Sequence, residues 1–210
     1  TINLGLFYGM GKAKLEAELG VSSVKAKNLF DSYHAKVPFV KQLTNELMRA
    51  AQSQGRIKTI LNRKCRFPKY EPILKGNDWG RFVPAQDHER MLELQAMGPH
   101  MKDEEGEFLL DKDGNKQKNY WHENGHRRAF TYKALNKLIQ GSAADMTKKA
   151  MLELYKEGIT PHIQIHDELD ISVISDLEAA KIKDIMEHAV ELKIPNKVDY
   201  ESGPNWGSIK

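Results

Sequence analysis

Gln164-Ile165-His166-Asp167-Glu168 lies between two short runs of alternating apolar residues, His162 to Ile165 and Leu169 to Val173. Alternation of this length predicts strand, tight turn, strand, with two adjacent carboxylates at the bend. Acidic residues are common in turns and most are merely solvated. Here, however, Asp167 and Glu168 interrupt apolar strands where a buried hairpin would ordinarily place Gly or Asn. Paired acids at a strand end suit Mg²⁺, which takes oxygen ligands and is usually held by one or two carboxylates plus substrate phosphates. Phosphoryl transfer is the chemistry this arrangement serves, and one carboxylate pair is half of a two-metal site.

Upstream of the hairpin, residues 127–157 carry a helical apolar stripe through Leu135, Leu138, Ile139, Met146, Met151 and Leu152, ended by Gly158. Its small run, Gly141-Ser142-Ala143-Ala144, would let another backbone approach closely. Downstream, a helix is predicted over Asp176 to Leu192, then Pro195 and a final strand from Lys197 to Glu201. Helix, two strands, helix, strand is an α+β unit with the carboxylate turn at its centre.

Residues 1–54 read as successive helices, broken at Gly20 and before Pro38 and closed by Gly55 as a C-cap. Gly55 to Lys69 is dense in cations, Arg56, Lys58, Arg63, Lys64, Arg66 and Lys69, and is partly strand-like. Residues 73–125, punctuated by Gly and Pro, read as a surface insertion with an exposed polar hairpin around 102–115. The Asp-x-Asp-Gly at 111–114 lacks the later acidic ligand that an EF-hand requires. His122 and His126 have no third ligand at metal-site spacing and read as a surface pair.

Bulk composition bounds these readings without deciding among them. A chain of 210 residues, 40% hydrophobic, can bury a core. A net charge of +3 is too small to announce nucleic-acid binding, so the distribution of charge has to. Cys65 is the sole cysteine, which excludes an internal disulfide and a thiolate zinc cage and fits a reducing, intracellular setting. No apolar run reaches membrane-span length, so no membrane partner is expected.

The pieces together resemble a known family. Gln164 to Glu168 is similar to motif C of the family A, Pol I type, DNA polymerases. Leu135 to Asp145, with its Gln140-Gly141-Ser142-Ala143-Ala144-Asp145 core, resembles the helix that precedes that motif. Thr1 to Met10 resembles the second half of motif B, the fingers helix that closes over the incoming nucleotide; Gly55 to Arg66 resembles the basic segment after the fingers helices; Val198 to Trp206 resembles the C-terminal strand and tail. The matches fall in family order across nearly the whole chain. The resemblance implies the C-terminal part of a right-hand polymerase of phage or viral kind, in a bacterial or phage-infected cytoplasm: helical fingers over 1–126, with the insertion at about 73–125, and the C-terminal half of an α+β palm over 127–210.

Residue by residue, the resemblance assigns Asp167 as a metal-binding catalytic carboxylate and Glu168 as its supporting acid, with two Mg²⁺ as cofactor. His166 would contact the primer terminus, and Asn136 and Gln140 would hydrogen-bond DNA in the minor groove, where every correct pair offers acceptors. Tyr8, followed by Gly9, would stack on the template base. Thr59, Arg63 and Arg66 would lie on DNA, and Arg56, Lys58, Lys64 and the two arginines would meet phosphates, which position rather than specify. The partners implied are primer–template DNA and a dNTP.

Departures from the family pattern matter equally. Motif A, source of the other metal-bridging aspartate, has no counterpart here, nor do the basic residues in the first half of motif B, and Tyr132 replaces the usual Arg. Polymerisation is therefore expected only with an N-terminal segment or companion chain. The alternative is a non-catalytic DNA-binding or assembly fragment of a polymerase; an unrelated metal-dependent nuclease is disfavoured because no further acids or histidines cluster to finish a site. Leu4 falls where the family carries Phe, Tyr or Leu. Leucine has no hydroxyl to replace a missing sugar 3′-OH, so the assembled enzyme should reject dideoxynucleotides, and Leu4→Tyr should raise chain termination in a primer-extension ladder.

Overall fold

The computed structural model describes residues 2–8, 10–74 and 82–208. The chain divides into two compact units, one of residues 1–58 and 64–137, the other of 59–63 and 138–210.

The first unit begins with helices α1 (Ile2–Phe7), α2 (Lys12–Leu19), α3 (Ser23–Lys36) and α4 (Pro38–Gln54). Their ends follow local chemistry. Gly20 closes α2 in the left-handed conformation, the Ser22 hydroxyl accepts from Lys25 N–H at the start of α3, and Pro38 occupies the first turn of α4. Proline fits there because that N–H would have no helical partner. Leu6, Leu15, Ala26, Val40 and Ala51 are the buried residues on these helices. Gly55 caps α4 at φ +67°, its N–H donating to Ala51 O.

Beyond the cap, β1 (Arg56–Lys58) pairs antiparallel with β2 (Lys64–Arg66), and β3 (Tyr70–Pro72) pairs with β4 (His126–Arg128). The Gln52 amide joins α4 to β4: its Nε2 donates to Arg128 O and Thr131 Oγ1, both at 2.8 Å, while its Oε1 accepts from Arg128 N–H. The segment read as a surface insertion holds more structure than expected. Helix α5 (His88–Ala96), capped by Asp87, packs Met91 and Leu94 against Ala85 and Trp121 in a small core of its own. Charged residues between those apolar positions hide the period in the sequence. The polar hairpin is two successive turns, 103–107 and 111–115, the second with the Asp111 side chain accepting from the backbone of Asp113 and Asn115. His126 lies in β4, so His122 and His126 do not share a helix.

Helix α6 (Ala134–Lys156) follows a short 3-10 turn and runs from the first unit into the second. There Gly158 (φ +77°) ends the turn, and β5 (Ile163–Ile165) pairs antiparallel with β6 (Glu168–Asp170), followed by α7 (Asp176–His188). Leu154, Ala150, Ala179 and Ile182 are buried in this unit. The expected final strand at 197–201 does not form, because no described strand lies beside it to supply the ladder. The segment is instead held by Glu187, whose carboxylate accepts from Val198 N–H at 3.0 Å.

Gly55 meets two constraints at once, a left-handed backbone and a built Cβ that would come within 2.6 Å of the Arg128 guanidinium carbon. Gly55→Ala is therefore expected to destabilise the fold by about 1–2 kcal/mol, read as a lowered midpoint in urea unfolding.

Candidate active site

The β5–β6 register pairs Ile165 with Glu168, leaving His166 and Asp167 as a two-residue loop. Glu168 thus opens β6 rather than sitting at the bend, a shift of one residue from the sequence expectation. His166 adopts φ +53°, at a loop position where glycine is usual. Histidine is tolerated in this region more often than most residues, at a cost of roughly 1 kcal/mol. The strained turn is held locally by Gln164 Nε2, which donates to His166 O at 3.0 Å.

Asp167 and Glu168 are exposed, and neither takes an ion pair or hydrogen bond from a described side chain. Asp170, two residues on, has a buried Oδ2 without a hydrogen-bond partner. Two neighbouring carboxylates free of cationic partners are a donor set that fits a hard cation. Among the described residues no three His, Cys, Asp or Glu side chains gather around one point. A divalent ion here would draw two protein oxygens and fill its shell with water and substrate phosphate, the pattern Mg²⁺ favours.

The other expected contacts fall in separate places. Asn136 and Gln140 stand one turn apart on α6; Gln140 is exposed, while Asn136 is half-buried with its Oδ1 unpartnered. Tyr8 follows α1 in the first unit, its ring edge-on to Phe7 at 5.9 Å. Arg66 projects from β2 into solvent. Gly9 and the side chain of Leu4 lie outside the described residues.

Thr59 is buried, while Arg63 is exposed and lies along the protein surface. Both face Asp145 of α6, a carboxylate only 5% exposed. Thr59 Oγ1 donates to Asp145 Oδ2, Arg63 Nε donates to Oδ1 at 2.5 Å, and Arg63 Nη2 donates to Gly141 O at 2.9 Å. Ile60 N–H donates to Ser142 Oγ at 3.1 Å, so the small run on α6 is where the loop 59–63 lies close. Burial raises the Asp145 carboxyl, but the hydrogen bonds from Thr59 and Arg63 and the charges of Arg63 and Lys148 outweigh it, holding it below the usual carboxylate value. The sequence carried a signal for this: Asp145 falls seven residues after Leu138, on the helix repeat that turns inward.

The comparisons with known proteins bear on the whole of this arrangement. The sequence profile of DNA polymerase family A matches residues 1–208. The chain belongs to DNA polymerase family A. It is 30% identical to the DNA-directed DNA polymerase of Pseudomonas phage M6, over 98% of this chain and 28% of that one. To DNA polymerase I of Geobacillus stearothermophilus it is 27% identical, over 100% of this chain and 19% of the relative, and to that of Deinococcus radiodurans 26%, over 100% and 18%. The chain therefore spans less than a third of the length of these family A relatives. In fold it is similar to the POL domain of Pol1 from M. smegmatis in complex with DNA primer-template and dNTP, with a TM-score of 0.58 and 21% identity over 93% of this chain and 28% of that one. The mixed helix and strand architecture with short antiparallel hairpins is that of part of a polymerase domain. Among the described residues no helix is long and apolar enough to cross a membrane.

Because the Asp145 carboxyl titrates lower when folded than unfolded, its stabilisation is complete above the unfolded value, about pH 3.9, and fades as pH falls through the folded one. Asp145→Asn is expected to cost about 2–3 kcal/mol near neutrality, with a gap to the wild type that narrows below about pH 4 in pH-dependent urea titrations.

Proposed function

We propose that this chain is the C-terminal part of a DNA-directed DNA polymerase, fingers over 1–126 and half of the palm over 127–210, that adds deoxynucleotides to a primer 3′-OH. Family A membership across residues 1–208 supports this reading. The single observation that carries it to a site is the pair Asp167 and Glu168, adjacent, exposed and without a cationic partner at a strained hairpin turn. The phage relative is named a DNA-directed DNA polymerase, and the solved neighbour was captured with DNA primer-template and dNTP.

In this reading Asp167 and Glu168 hold Mg²⁺. Bound there, divalent ions supply charge stabilisation to the attacking and leaving oxygens of an in-line displacement. His166, thrust outward by the turn, contacts the primer terminus. Asn136 and Gln140 present amide donors to minor-groove acceptors one helical turn apart, Tyr8 with Gly9 packs on the template base, and Leu4 lies by the sugar of the incoming nucleotide. A further carboxylate for the two-metal site comes from an N-terminal segment or companion chain. The working place is the cytoplasm of a bacterial or phage-infected cell.

The test is primer extension by the assembled polymerase that contains this chain. Loss of several kcal/mol of charge stabilisation predicts that Asp167→Ala slows single-turnover extension on the order of 10³-fold while leaving primer–template affinity within a few fold. Extension unaffected by the substitution would reject the site; no extension by any form would favour the binding or assembly role.

A further inference from the structure

Residues 100–123 repeat in steps of eight, and the repeat closes on itself. Met101 N–H donates to Gln117 O at 2.9 Å, Gln117 N–H to Leu109 O at 2.7 Å and Leu109 N–H to Met101 O at 3.0 Å, a ring of three backbone bonds. The flanking bridges follow the same cycle, Lys102 with Phe108, Leu110 with Lys116 and Lys118 with His100. After each of these stretches a side-chain oxygen fixes the turn: Asp103 accepts from Glu107 N–H, Asp111 from Asn115 N–H and Asn119 from Trp121 N–H. No stretch can slip in register without breaking two of the three ring bonds, so the ring is a firm wall.

Between this ring, α5 and the loop before α5 lies a cavity of about 460 Å³. That is within the range of roughly 300–1,000 Å³ that ligand sites occupy. Ala85, Leu94 and Trp121, each no more than 5% exposed, give it an apolar floor with Met101 packed beside them. Val83 stands at the rim, 83% exposed. The charged lining has one sign: Arg90 from α5 and Lys118 from the ring, with no acid among the described residues that line it. Lys118 forms no ion pair, and Arg90 meets Glu93 through Nη1. Gln86 and Gln117 add two exposed amides, each able to donate to and accept from a peptide group.

A peptide with an apolar anchor and nearby carboxylates satisfies the floor, the amides and the cations together. A nucleobase does not, because it needs an open aromatic face on which to stack. Trp121 is buried, Tyr120 has Lys118 Nζ 5.1 Å from its ring centre, and Phe108 has Lys116 Nζ at 3.7 Å. We propose that this cavity is a docking pocket for a linear acidic segment of a partner protein. The segment seats one large apolar side chain on the floor and sets its carboxylates against Arg90 and Lys118. The inference goes beyond the polymerase reading and uses none of the residues assigned to nucleotide addition.

The probe is a fluorescein-labelled synthetic peptide of aspartate and glycine with one central phenylalanine. Its binding to the 210-residue chain is followed by fluorescence anisotropy, with thermal unfolding of each protein. Binding is expected, and changing the phenylalanine to alanine or the aspartates to asparagine should weaken it about tenfold or more. Val83→Glu, which sets a carboxylate at the rim, and Arg90→Gln with Lys118→Gln should each weaken it about tenfold at an unchanged melting point. Lys112→Gln, on the turn 111–115, should leave it unchanged. A labelled oligothymidylate, tested in parallel, should bind wild type and pocket variants alike. No peptide binding, binding indifferent to both pocket variants, or a loss of oligothymidylate binding in those variants beyond that of Lys112→Gln would each overturn the docking pocket, the last by making nucleic acid the occupant.

Discussion

A buried carboxylate on α6 sets the local architecture. Asp145 is withdrawn from water, and an isolated buried charge of that kind is costly unless it is paired and hydrogen-bonded. Thr59 and Arg63 meet that demand from a single loop, four residues apart, so satisfying the charge also fixes the course of the chain between β1 and β2. Gly141 and Ser142 complete the contact because the helix surface there is small enough for the loop to come close: Ile60 N–H donates to Ser142 Oγ and the Arg63 guanidinium to Gly141 O. Removing the carboxylate would free the loop as well as a charge.

The same helix explains why polar residues in this family segment have unlike fates. Asp145 faces inward and is spent on structure; Gln140 faces outward; Asn136, between them in burial, keeps an unpartnered carbonyl oxygen. The carboxylate hairpin shows a related economy. Its histidine accepts an unfavourable backbone angle, and its acids forgo local cations, so that two oxygens remain available to an ion.

Much of the fold was legible because it rests on periodicity and punctuation. Gly20, Pro38, Gly55 and Gly158 mark boundaries through backbone constraints that act locally, and the structure ends or starts helices at each. The hairpin at 163–170 followed from alternation, though the register that makes Glu168 a strand residue depends on pairing that no local rule fixes. Helix α5 is not legible in the sequence because Met91 and Leu94 are embedded among charges and their small core closes with Trp121, far along the chain. The strand expected at 197–201 failed for the opposite reason: its residues are extended in character, but a strand exists only with a neighbour. For the site, residue type located Asp167 and Glu168, while the hydrogen bonds of Thr59 and Arg63 to Asp145 depend on that carboxylate facing the loop.

Substitution of Fe²⁺ for Mg²⁺ would probe the carboxylate pair directly. With ascorbate and peroxide, iron bound at the hairpin generates radicals that cut the nearest backbone. In the assembled polymerase with primer–template and dNTP, cleavage within residues 164–170, suppressed by excess Mg²⁺, is the result expected of a metal held by Asp167 and Glu168. Cleavage confined to other segments, such as the acidic turn at 111–115, with none at the hairpin, would contradict it.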